Sequence, residues 1–381
     1  MLSPEEKRRY SRQILLSEIG EAGQEKLKLA KVLVIGAGGL GCPVLLYLSA
    51  SGVGEIGIVD GDAVDETNLQ RQILYTSEDV GKPKAATAGK KIAAQNPFVK
   101  INAHPVFLSA ENAVQFFSQY DLIVDGSDNF PTRYLVNDAC VLADKPFVSG
   151  SVFRFEGQVS VFNFRGGPTY RCLFPEPPDP REVPSCAQIG VSPILPGLIG
   201  SLQANEVLKI FTGHGEVLSG KLLVLDAATS ETRLFRFNKN PDLRIEKLLA
   251  SYEDFCKTRT TSQVVPEIDF DELQKKASSG EPILLLDIRS AEERKIFGPI
   301  KLNQATGRNF REMRTESEAI SELIFNELKS LPSGAKVVLY CQRGGRSASL
   351  VERLLSGNSG YSLIYSLRGG FEAALSFAIP K

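Results

Sequence analysis

The amino-acid sequence predicts an α/β protein in which a larger doubly wound unit is followed by a smaller α/β unit. Short β-branched runs alternate with helical apolar stretches over residues 31–164, and a similar alternation returns near the C-terminus. Residues 239–266 lose this alternation and end in a polar run, so we interpret them as a linker that contains one short helix. The predicted domains are therefore residues 1–238 and 267–381.

Composition narrows the classes of protein to consider. A chain of 381 residues with 43% hydrophobic content is long enough for two domains, each with its own core. The 44 basic and 45 acidic residues are well mixed, so the chain lacks the overall positive charge that would attract nucleic acid or an anionic membrane. The sequence has no apolar run long enough to span a bilayer, and its first residues lack the apolar core of a signal peptide. We expect neither nucleic acid nor a membrane as a partner.

Cysteine and histidine usage points to a cytoplasmic protein. The six cysteines form no C-x-x-C pair, which is typical of a reducing compartment where one or two thiols react and the others pack. They are Cys42, Cys140, Cys172, Cys186, Cys256 and Cys341. The two histidines, His104 and His214, provide few parts for a Ser-His-Asp triad or a His-based zinc site.

The first elements are a capped helix and a βαβ unit. Residues 3–6 (SPEE) match a capping box with Pro at the first helical position, so a helix is predicted to begin there. Residues 31–60 place the turn GAGGLG between a strand and a helix, where glycines and helix N–H groups suit a phosphate. Asp60 ends the second strand, where a carboxylate can bind ribose hydroxyls. Alone, this unit predicts a nucleotide site, with an NAD-dependent oxidoreductase as the default.

Charged residues beyond Asp60 favour chemistry at a phosphate instead. Attack on an α-phosphate needs cations around the developing charge and a carboxylate to hold Mg²⁺. Arg71 and Lys84 suit the first role, and Asp128, which follows another buried strand, suits the second. A hydride-transfer enzyme does not need these groups, so we favour ATP with Mg²⁺ at this site.

The remaining part of the first domain contains antiparallel strands and a proline-rich crossing. Segments 155–164 and 221–237 are predicted as strands with antiparallel character. Between them, proline-rich residues 174–184 predict an extended surface crossing that leads to Cys186 and then to a helix. Cys186 is either an ordinary packing residue or a thiol presented on a mobile loop, and we favour the second interpretation.

The second domain presents Cys341 at the end of a predicted buried strand. The following loop opens a helix at Ser347, and its members are Gln342, Arg343, Gly344, Gly345 and Arg346. Loop N–H groups, the helix dipole and the two arginines would together stabilise an anionic thiolate or persulfide. The pattern C-x-x-x-x-R-S also has the form found in cysteine phosphatases.

Residues from Arg9 to Phe237 resemble the bacterial adenylyltransferases that activate ubiquitin-like sulfur carriers in the molybdopterin-synthase and thiamine pathways, within the ubiquitin-activating-enzyme superfamily. The resemblance rests on the ordered segments RYSRQ, GAGGLG, NLQRQ, GKPK, DGSDN and EGQ. It implies a Rossmann-like adenylation domain that binds ATP through Gly38, Gly39, Asp60, Thr67, Asn68, Leu69, Gln70, Arg71, Lys84, Asp128 and Asn129.

The same resemblance bears on three other positions. Composition alone makes Arg12 a solvated charge, but the family position matching it reaches the nucleotide of the partner subunit, which implies a homodimer. In the family, the loop matching Cys186 carries the thiol that forms a thioester or acyl disulfide with the carrier. Many members bind a structural zinc through two C-x-x-C pairs, of which this chain keeps Cys172 alone, so we expect no zinc.

Residues from Glu267 to Pro380 resemble the rhodanese sulfurtransferases through ILLLDIR, the Cys341 loop and SLRGGFEAAL. The combined resemblances imply adenylylation of the C-terminal glycine of a carrier ending in Gly-Gly, then sulfur transfer from a Cys341 persulfide to give a thiocarboxylate. The sulfur donor would be thiosulfate or a cysteine desulfurase.

Other functions stay open at the level of sequence. One is an adenylyltransferase with a regulatory rhodanese module that donates no sulfur. Another is an NAD-dependent oxidoreductase, and a third is a binding or scaffold protein with a phosphatase-like module.

Overall fold

The structure is a computed structural model, and the residues that it describes are 1–178, 190–257, 265–300, 302, 310–314, 324, 332, 334–342, 344–356 and 363–378. Two compact units make up the chain. We describe each unit by itself.

The first unit is built on an eight-stranded sheet. Its strands are β1 (Lys31–Ile35), β2 (Glu55–Val59), β3 (Lys100–His104), β4 (Leu122–Asp125), β5 (Phe147–Phe153), β6 (Glu156–Phe162), β7 (Lys221–Asp226) and β8 (Glu231–Arg236). The strand order is β3-β2-β1-β4-β5-β6-β7-β8. Strands β1 to β5 pair in parallel, whereas β6, β7 and β8 are antiparallel to their neighbours. The predicted doubly wound α/β arrangement with antiparallel strands is confirmed.

Helices cover both faces of this sheet. They are α1 (Pro4–Arg9), α2 (Ser11–Ile14), α3 (Gly20–Leu29), α4 (Gly41–Ala50), α5 (Lys84–Gln95), α6 (Ala113–Ser118), α7 (Phe130–Leu142), α8 (Tyr170–Leu173), α9 (Leu195–Thr212) and α10 (Tyr252–Lys257). The predicted capping box is present, since Ser3 and Glu6 exchange hydrogen bonds at the start of α1. Successive residues of β1 belong to different cores: Val32 and Val34 to one, Leu33 and Ile35 to the other. A strand buried on both faces must be apolar throughout, which explains the run KVLVI.

Residues 252–257 pack into the first unit, although the sequence pattern assigns them to the linker 239–266. They form α10, in which Tyr252 and Cys256 are buried in the core of this unit. A buried ion pair lies beside them: the Arg171 guanidinium donates to both carboxylate oxygens of Asp138 at 2.7 and 2.8 Å. The Tyr252 hydroxyl donates to the same carboxylate at 2.9 Å. The first unit therefore extends beyond its predicted boundary at residue 238.

The second unit is a five-stranded parallel sheet with the order β11-β10-β12-β13-β9. Its strands are β9 (Glu267–Ile268), β10 (Ile283–Asp287), β11 (Phe310–Arg314), β12 (Lys336–Tyr340) and β13 (Ile364–Leu367). Its helices are α11 (Phe270–Ser278), α12 (Ala291–Phe297), α13 (Gly345–Ser356) and α14 (Gly370–Ala378). This is the smaller α/β unit that the sequence predicts. Among the described residues of the chain, no helix has both the length and the hydropathy needed to cross a bilayer.

We predict that Arg171→Met destabilises the first unit by about 3–5 kcal/mol, because the buried Asp138 carboxylate would lose its counter-ion. Calorimetry should show a lower Tm, and hydrogen exchange of residues 252–257 should be faster. Arg233→Met, which removes an exposed ion pair with Glu231, is the matched control and should leave both unchanged. Equal Tm values for the two variants would contradict the assignment.

Candidate functional site

The turn between β1 and α4 is fixed by backbone contacts to two neighbouring strands. Gly36 donates its N–H to the Val59 carbonyl, and Gly126 donates its N–H to the Ile35 carbonyl, each at 2.8 Å. Helix α4 begins at Gly41, where a Cβ atom would lie 1.9 Å from the Gly36 carbonyl oxygen. A side chain cannot fit at that position, so glycine is required for the helix to begin directly behind the strand.

A cavity of about 190 Å³ opens at this turn, at the carboxyl ends of the parallel strands. The predicted site residues that line it are Gly38, Gly39, Asp60, Arg71, Lys84, Asp128 and Asn129. These residues come from five separate segments of the chain, and the fold brings them to one place. The edge formed by strand carboxyl ends is where open α/β sheets bind ligands.

Two cations lie in the cavity wall. Lys84 is the first residue of α5 and is only 6% exposed, with its Nζ 3.2 Å from Oδ2 of Asp62. The Arg71 guanidinium donates to the Thr67 carbonyl at 3.2 Å. Asp62 itself is exposed to solvent, so the buried ammonium of Lys84 has one accessible partner that a ligand anion could replace.

Asp60 supports the glycine turn in addition to lining the cavity. One carboxylate oxygen accepts the Ala37 N–H at 2.7 Å, and the other accepts the Asp62 N–H at 2.8 Å. Burial raises the pKa of Asp60, and these two N–H donors oppose that shift. Asp60 therefore links the glycine turn to the segment that follows β2.

The end of β4 carries two carboxylates in different environments. Asp125 is fully buried, and its Oδ1 accepts the Ser127 N–H and hydroxyl at 3.0 and 2.6 Å. Burial raises the pKa of Asp125, whereas the nearby Arg133 guanidinium lowers it. Asp128 is exposed at the cavity, and its carboxylate forms no hydrogen bond or ion pair with the other residues that the structure describes. Asn129 caps α7 by accepting the Thr132 N–H at 2.9 Å.

Five predicted site residues do not line the cavity: Arg12, Thr67, Asn68, Leu69 and Gln70. Residues 66–68 form a 3₁₀ turn in which Asp65 accepts the Thr67 N–H at 2.8 Å, so Asp65 is a cap. This turn positions Arg71 through the Thr67 carbonyl. Arg12 is exposed on α2.

Gln72, Phe107 and Arg133 are among the lining residues that the sequence did not predict for the site. Gln72 is 4% exposed, and its Oε1 has no hydrogen-bond partner among the described residues. Phe107 packs over Gly61, where a Cβ atom would lie 2.6 Å from the ring. Arg133 lies four residues after Asn129, and its guanidinium donates to the Ser127 carbonyl at 3.1 Å. Gln72 ends the NLQRQ segment, but Phe107 lies in no motif.

The second unit holds Cys341 in a tight loop at the end of β12. The residue is 2% exposed, and its Sγ accepts the Gly344 N–H at 3.1 Å and the Ser347 hydroxyl at 3.7 Å. Gly344 has φ +87°, and a Cβ there would lie 2.9 Å from the Gly369 nitrogen. The loop can therefore close around the sulfur only with glycine at this position.

Backbone contacts from α14 hold the same loop from behind. Phe371 donates its N–H to the Cys341 carbonyl at 2.9 Å, and Glu372 donates its N–H to the Gln342 carbonyl at 3.0 Å. The Ser347 hydroxyl lies 2.8 Å from that of Ser366, under the loop. These contacts do not involve the Cys341 side chain, so they support the loop in addition to the hydrogen bonds that the sulfur accepts.

The predicted loop residues fall into two groups. Gln342 and Gly344 lie in the loop, whereas Gly345 is already the first residue of α13, two residues before the predicted start at Ser347. The guanidinium of Arg346 pairs with the Glu293 carboxylate on α12. The structure therefore shows Arg346 bound to an internal acid rather than to the thiol. Arg343 and Cys186 lie outside the described residues.

Cys172 lies where two segments of the first unit meet. Its Sγ accepts N–H groups from Thr169 and Asn240 at 3.4 and 3.3 Å. Within the described part of the chain, no three His, Cys, Asp or Glu side chains are grouped so that they could hold a metal ion. The expectation of a zinc-free protein stays a prediction.

Comparison with known proteins identifies both units. Residues 10–245 match the ThiF family and residues 269–376 match the rhodanese-like domain. Over 266 residues the chain is 52% identical to a sulfur carrier protein adenylyltransferase of Thermus thermophilus, covering 67% of this chain and 98% of that protein. It is 43% identical to MoeZ of Mycobacterium tuberculosis, a probable adenylyltransferase/sulfurtransferase, covering 98% of this chain and 93% of MoeZ.

A solved structure shares the fold of the first unit. The Escherichia coli MccB structure with ATP aligns with a TM-score of 0.57 at 23% identity, covering 64% of this chain and 75% of MccB. The chain belongs to the ThiF family, as one of the adenylyltransferase/sulfurtransferases that carry a C-terminal rhodanese-like domain.

Proposed function

We propose that the first unit adenylylates the C-terminal glycine of a ubiquitin-like sulfur carrier ending in Gly-Gly, and that Cys341 of the second unit supplies sulfur to the activated glycine. The observation that carries this proposal is the convergence of Arg71, Lys84 and Asp128 on one cavity beside the glycine turn. The Thermus thermophilus relative, named for its action on a sulfur carrier protein, supports the choice of partner.

The cavity suits ATP by its donor set. The N-terminus of α4 and the glycine turn offer N–H groups to phosphates, and the two cations would neutralise their charge. Phe107 and neighbouring apolar residues provide a wall for a purine, while Asp60 lies where ribose hydroxyls would bind. Asp128 has a carboxylate available for Mg²⁺. ATP as substrate would supply an α-phosphorus atom with pyrophosphate as its leaving group.

The residues of this chain then have separate roles. A carboxylate oxygen of the carrier's terminal glycine would form the bond to the α-phosphorus as pyrophosphate leaves, with Arg71 and Lys84 stabilising the charge that develops. The outer sulfur of a Cys341 persulfide would next attack the carbonyl carbon, displacing AMP. A second thiol, for which we propose Cys186, would cleave the resulting S–S bond and release the thiocarboxylate. A thiol reductant would then reduce the disulfide between the two cysteines.

The loop around Cys341 suits a persulfide. N–H and hydroxyl donors from Gly344 and Ser347 point at the sulfur and would donate hydrogen bonds to a persulfide held there. The proposed donor is thiosulfate or a cysteine desulfurase. Joining both activities in one chain would raise the effective concentration of sulfur near the activated glycine, to about the mM range for a short flexible connection.

We further propose that the protein is a cytoplasmic homodimer in which Arg12 completes the cavity of the partner subunit. Arg12 is exposed and lies outside the cavity of its own chain. The adjacent Leu15 and Leu16 are 74% and 53% exposed, which is unusual for apolar residues unless another surface covers them. Pathways that make molybdenum cofactor or thiamine would use such a product.

We predict that Asp128→Ala and Arg71→Ala each abolish carrier-dependent ATP–pyrophosphate exchange. The first variant would remove a ligand of Mg²⁺, and the second would remove a cation that binds the phosphates. Radiolabelled exchange with a Gly-Gly carrier is the measurement. Asp121→Ala, at the other end of β4, serves as a control and should retain exchange. Full exchange in either site variant would remove that residue from the site.

The cysteines should separate the two half-reactions. We expect Cys341→Ser to keep ATP–pyrophosphate exchange but to lose thiosulfate sulfurtransferase activity, and Cys186→Ser to keep both and to slow only thiocarboxylate formation. Mass spectrometry of the carrier, incubated with ATP and thiosulfate, detects the replacement of oxygen by sulfur. Thiocarboxylate formation by Cys341→Ser at the wild-type rate would show that the second unit is regulatory.

Arg12 can be tested by complementation between subunits. Arg12→Ala and Asp128→Ala homodimers should both lack exchange, but mixed dimers contain one cavity in which neither residue is changed. After mixing equal amounts under subunit-exchange conditions, we expect about one quarter of wild-type exchange, since half the dimers are mixed and each has one intact site. No recovery in verified mixed dimers would overturn the shared site.

A further inference from the structure

We propose that Glu293 sets the donor specificity of the second unit by competing with anionic sulfur donors for Arg346. This inference rests on the proposed sulfur-transfer function. Glu293 lies in the first turn of α12, and its Oε1 accepts a hydrogen bond from Nη2 of Arg346 in the first turn of α13. Helix α13 begins immediately after the Cys341 loop, so this ion pair borders the loop in sequence and in space.

The carboxylate of Glu293 is held in place independently of Arg346. Its Oε2 accepts the Ser290 N–H at 2.7 Å, and the Ser290 hydroxyl accepts the Glu293 N–H at 3.2 Å. This capping box stabilises the start of α12. Glu293 therefore cannot move away from the loop without also breaking a helix cap, and it remains as a fixed negative charge when Arg346 is drawn elsewhere.

Arg346 is suited to bind an oxyanion once it is released. Its side chain is 41% exposed, and a guanidinium can bind two oxygens of one anion through parallel N–H donors. In the ion pair, part of this donor edge is already occupied by Glu293. A thiosulfate dianion that approaches Cys341 must displace the carboxylate or bind beside it, and both alternatives weaken its binding.

A second carboxylate lies beside the loop, where Nε2 of Gln342, the residue that follows Cys341, donates to Oε1 of Glu372 at 3.4 Å. Donor choice depends on the first carboxylate: with Arg346 paired to Glu293, the guanidinium adds little attraction for a small dianion. A neutral small donor, or a protein persulfide docked through its own surface, does not meet this electrostatic cost. The arrangement thus favours such donors over free thiosulfate.

The test uses the full-length chain with Glu293→Gln, which keeps the size of the side chain and removes its charge. We expect the KM for thiosulfate, with cyanide as acceptor, to fall by about two- to five-fold, the range for a partly exposed ion pair. The kcat should change little, and added salt should reduce the difference between the two proteins. Glu281→Gln is the matched control, because Glu281 pairs with Lys336 at the opposite end of β12.

Two further measurements separate this inference from the proposed function. Alkylation of Cys341, followed by mass spectrometry of its peptide, should be faster in Glu293→Gln with anionic iodoacetate and unchanged with neutral iodoacetamide. In an Arg346→Gln background, Glu293→Gln should no longer lower the KM, because the cation that it frees is absent.

The possible outcomes lead to different conclusions. An unchanged KM and an unchanged iodoacetate rate, or equal effects of Glu281→Gln, would overturn the role of Glu293. Absence of thiosulfate sulfurtransferase activity in every variant would count against the proposed function of the second unit, while the ratio of the two alkylation rates would still decide the role of Glu293.

Discussion

The turn after β1 is held between the ends of two neighbouring strands, and the geometry of the first unit depends on that close contact. The Gly36 N–H reaches β2, and the Ile35 carbonyl receives the Gly126 N–H from the segment after β4. The oxygen of Gly36 leaves no room for a Cβ atom on Gly41. Because three chain segments meet through backbone atoms, small displacements are not accommodated by side-chain rearrangement. The sheet therefore fixes the shape of the cavity wall that the glycine turn forms.

In the proposed function, the two units would use different means to place an anion at the end of a parallel strand. In the first, glycines shape the backbone, and the charge comes from Lys84 and Arg71 on other segments. In the second, loop N–H groups point inward at the sulfur of Cys341. The difference follows from size: a triphosphate spans several contacts and needs charges spread along it, whereas one sulfur atom is enclosed by a single loop. Both sites use the same strand-to-helix transition.

The fold was predictable because the spacing of apolar residues along the sequence shows which faces of each strand and helix are buried. Arg71, Lys84 and Asp128 could also be proposed from the sequence, since they lie in the segments NLQRQ, GKPK and DGSDN, and the structure places all three at the cavity. Phe107 could not be predicted, because it lies outside any motif and reaches the cavity by packing over Gly61. The packing of the helix at 252–257 into the first unit was missed for a similar reason. Its position depends on the hydrogen bond between Tyr252 and Asp138, which are 114 positions apart. A contact between such distant residues cannot be inferred from the local sequence.

Each unit has an ion pair at its candidate site: Lys84 pairs with Asp62 in the first unit, and Arg346 pairs with Glu293 in the second. A cation that binds a transient anion must have a partner in the free protein, since a buried unpaired charge is costly. Lys84 satisfies this condition with the exposed Asp62, whose carboxylate can return to water when a phosphate takes its place. Glu293 differs because its capping contact with Ser290 keeps it beside Arg346. An anion can therefore replace Asp62 at low cost, but at Arg346 it must compete with a carboxylate that stays in place. Under the two proposals, the same kind of ion pair would thus admit an anionic substrate in the first unit and discourage one in the second.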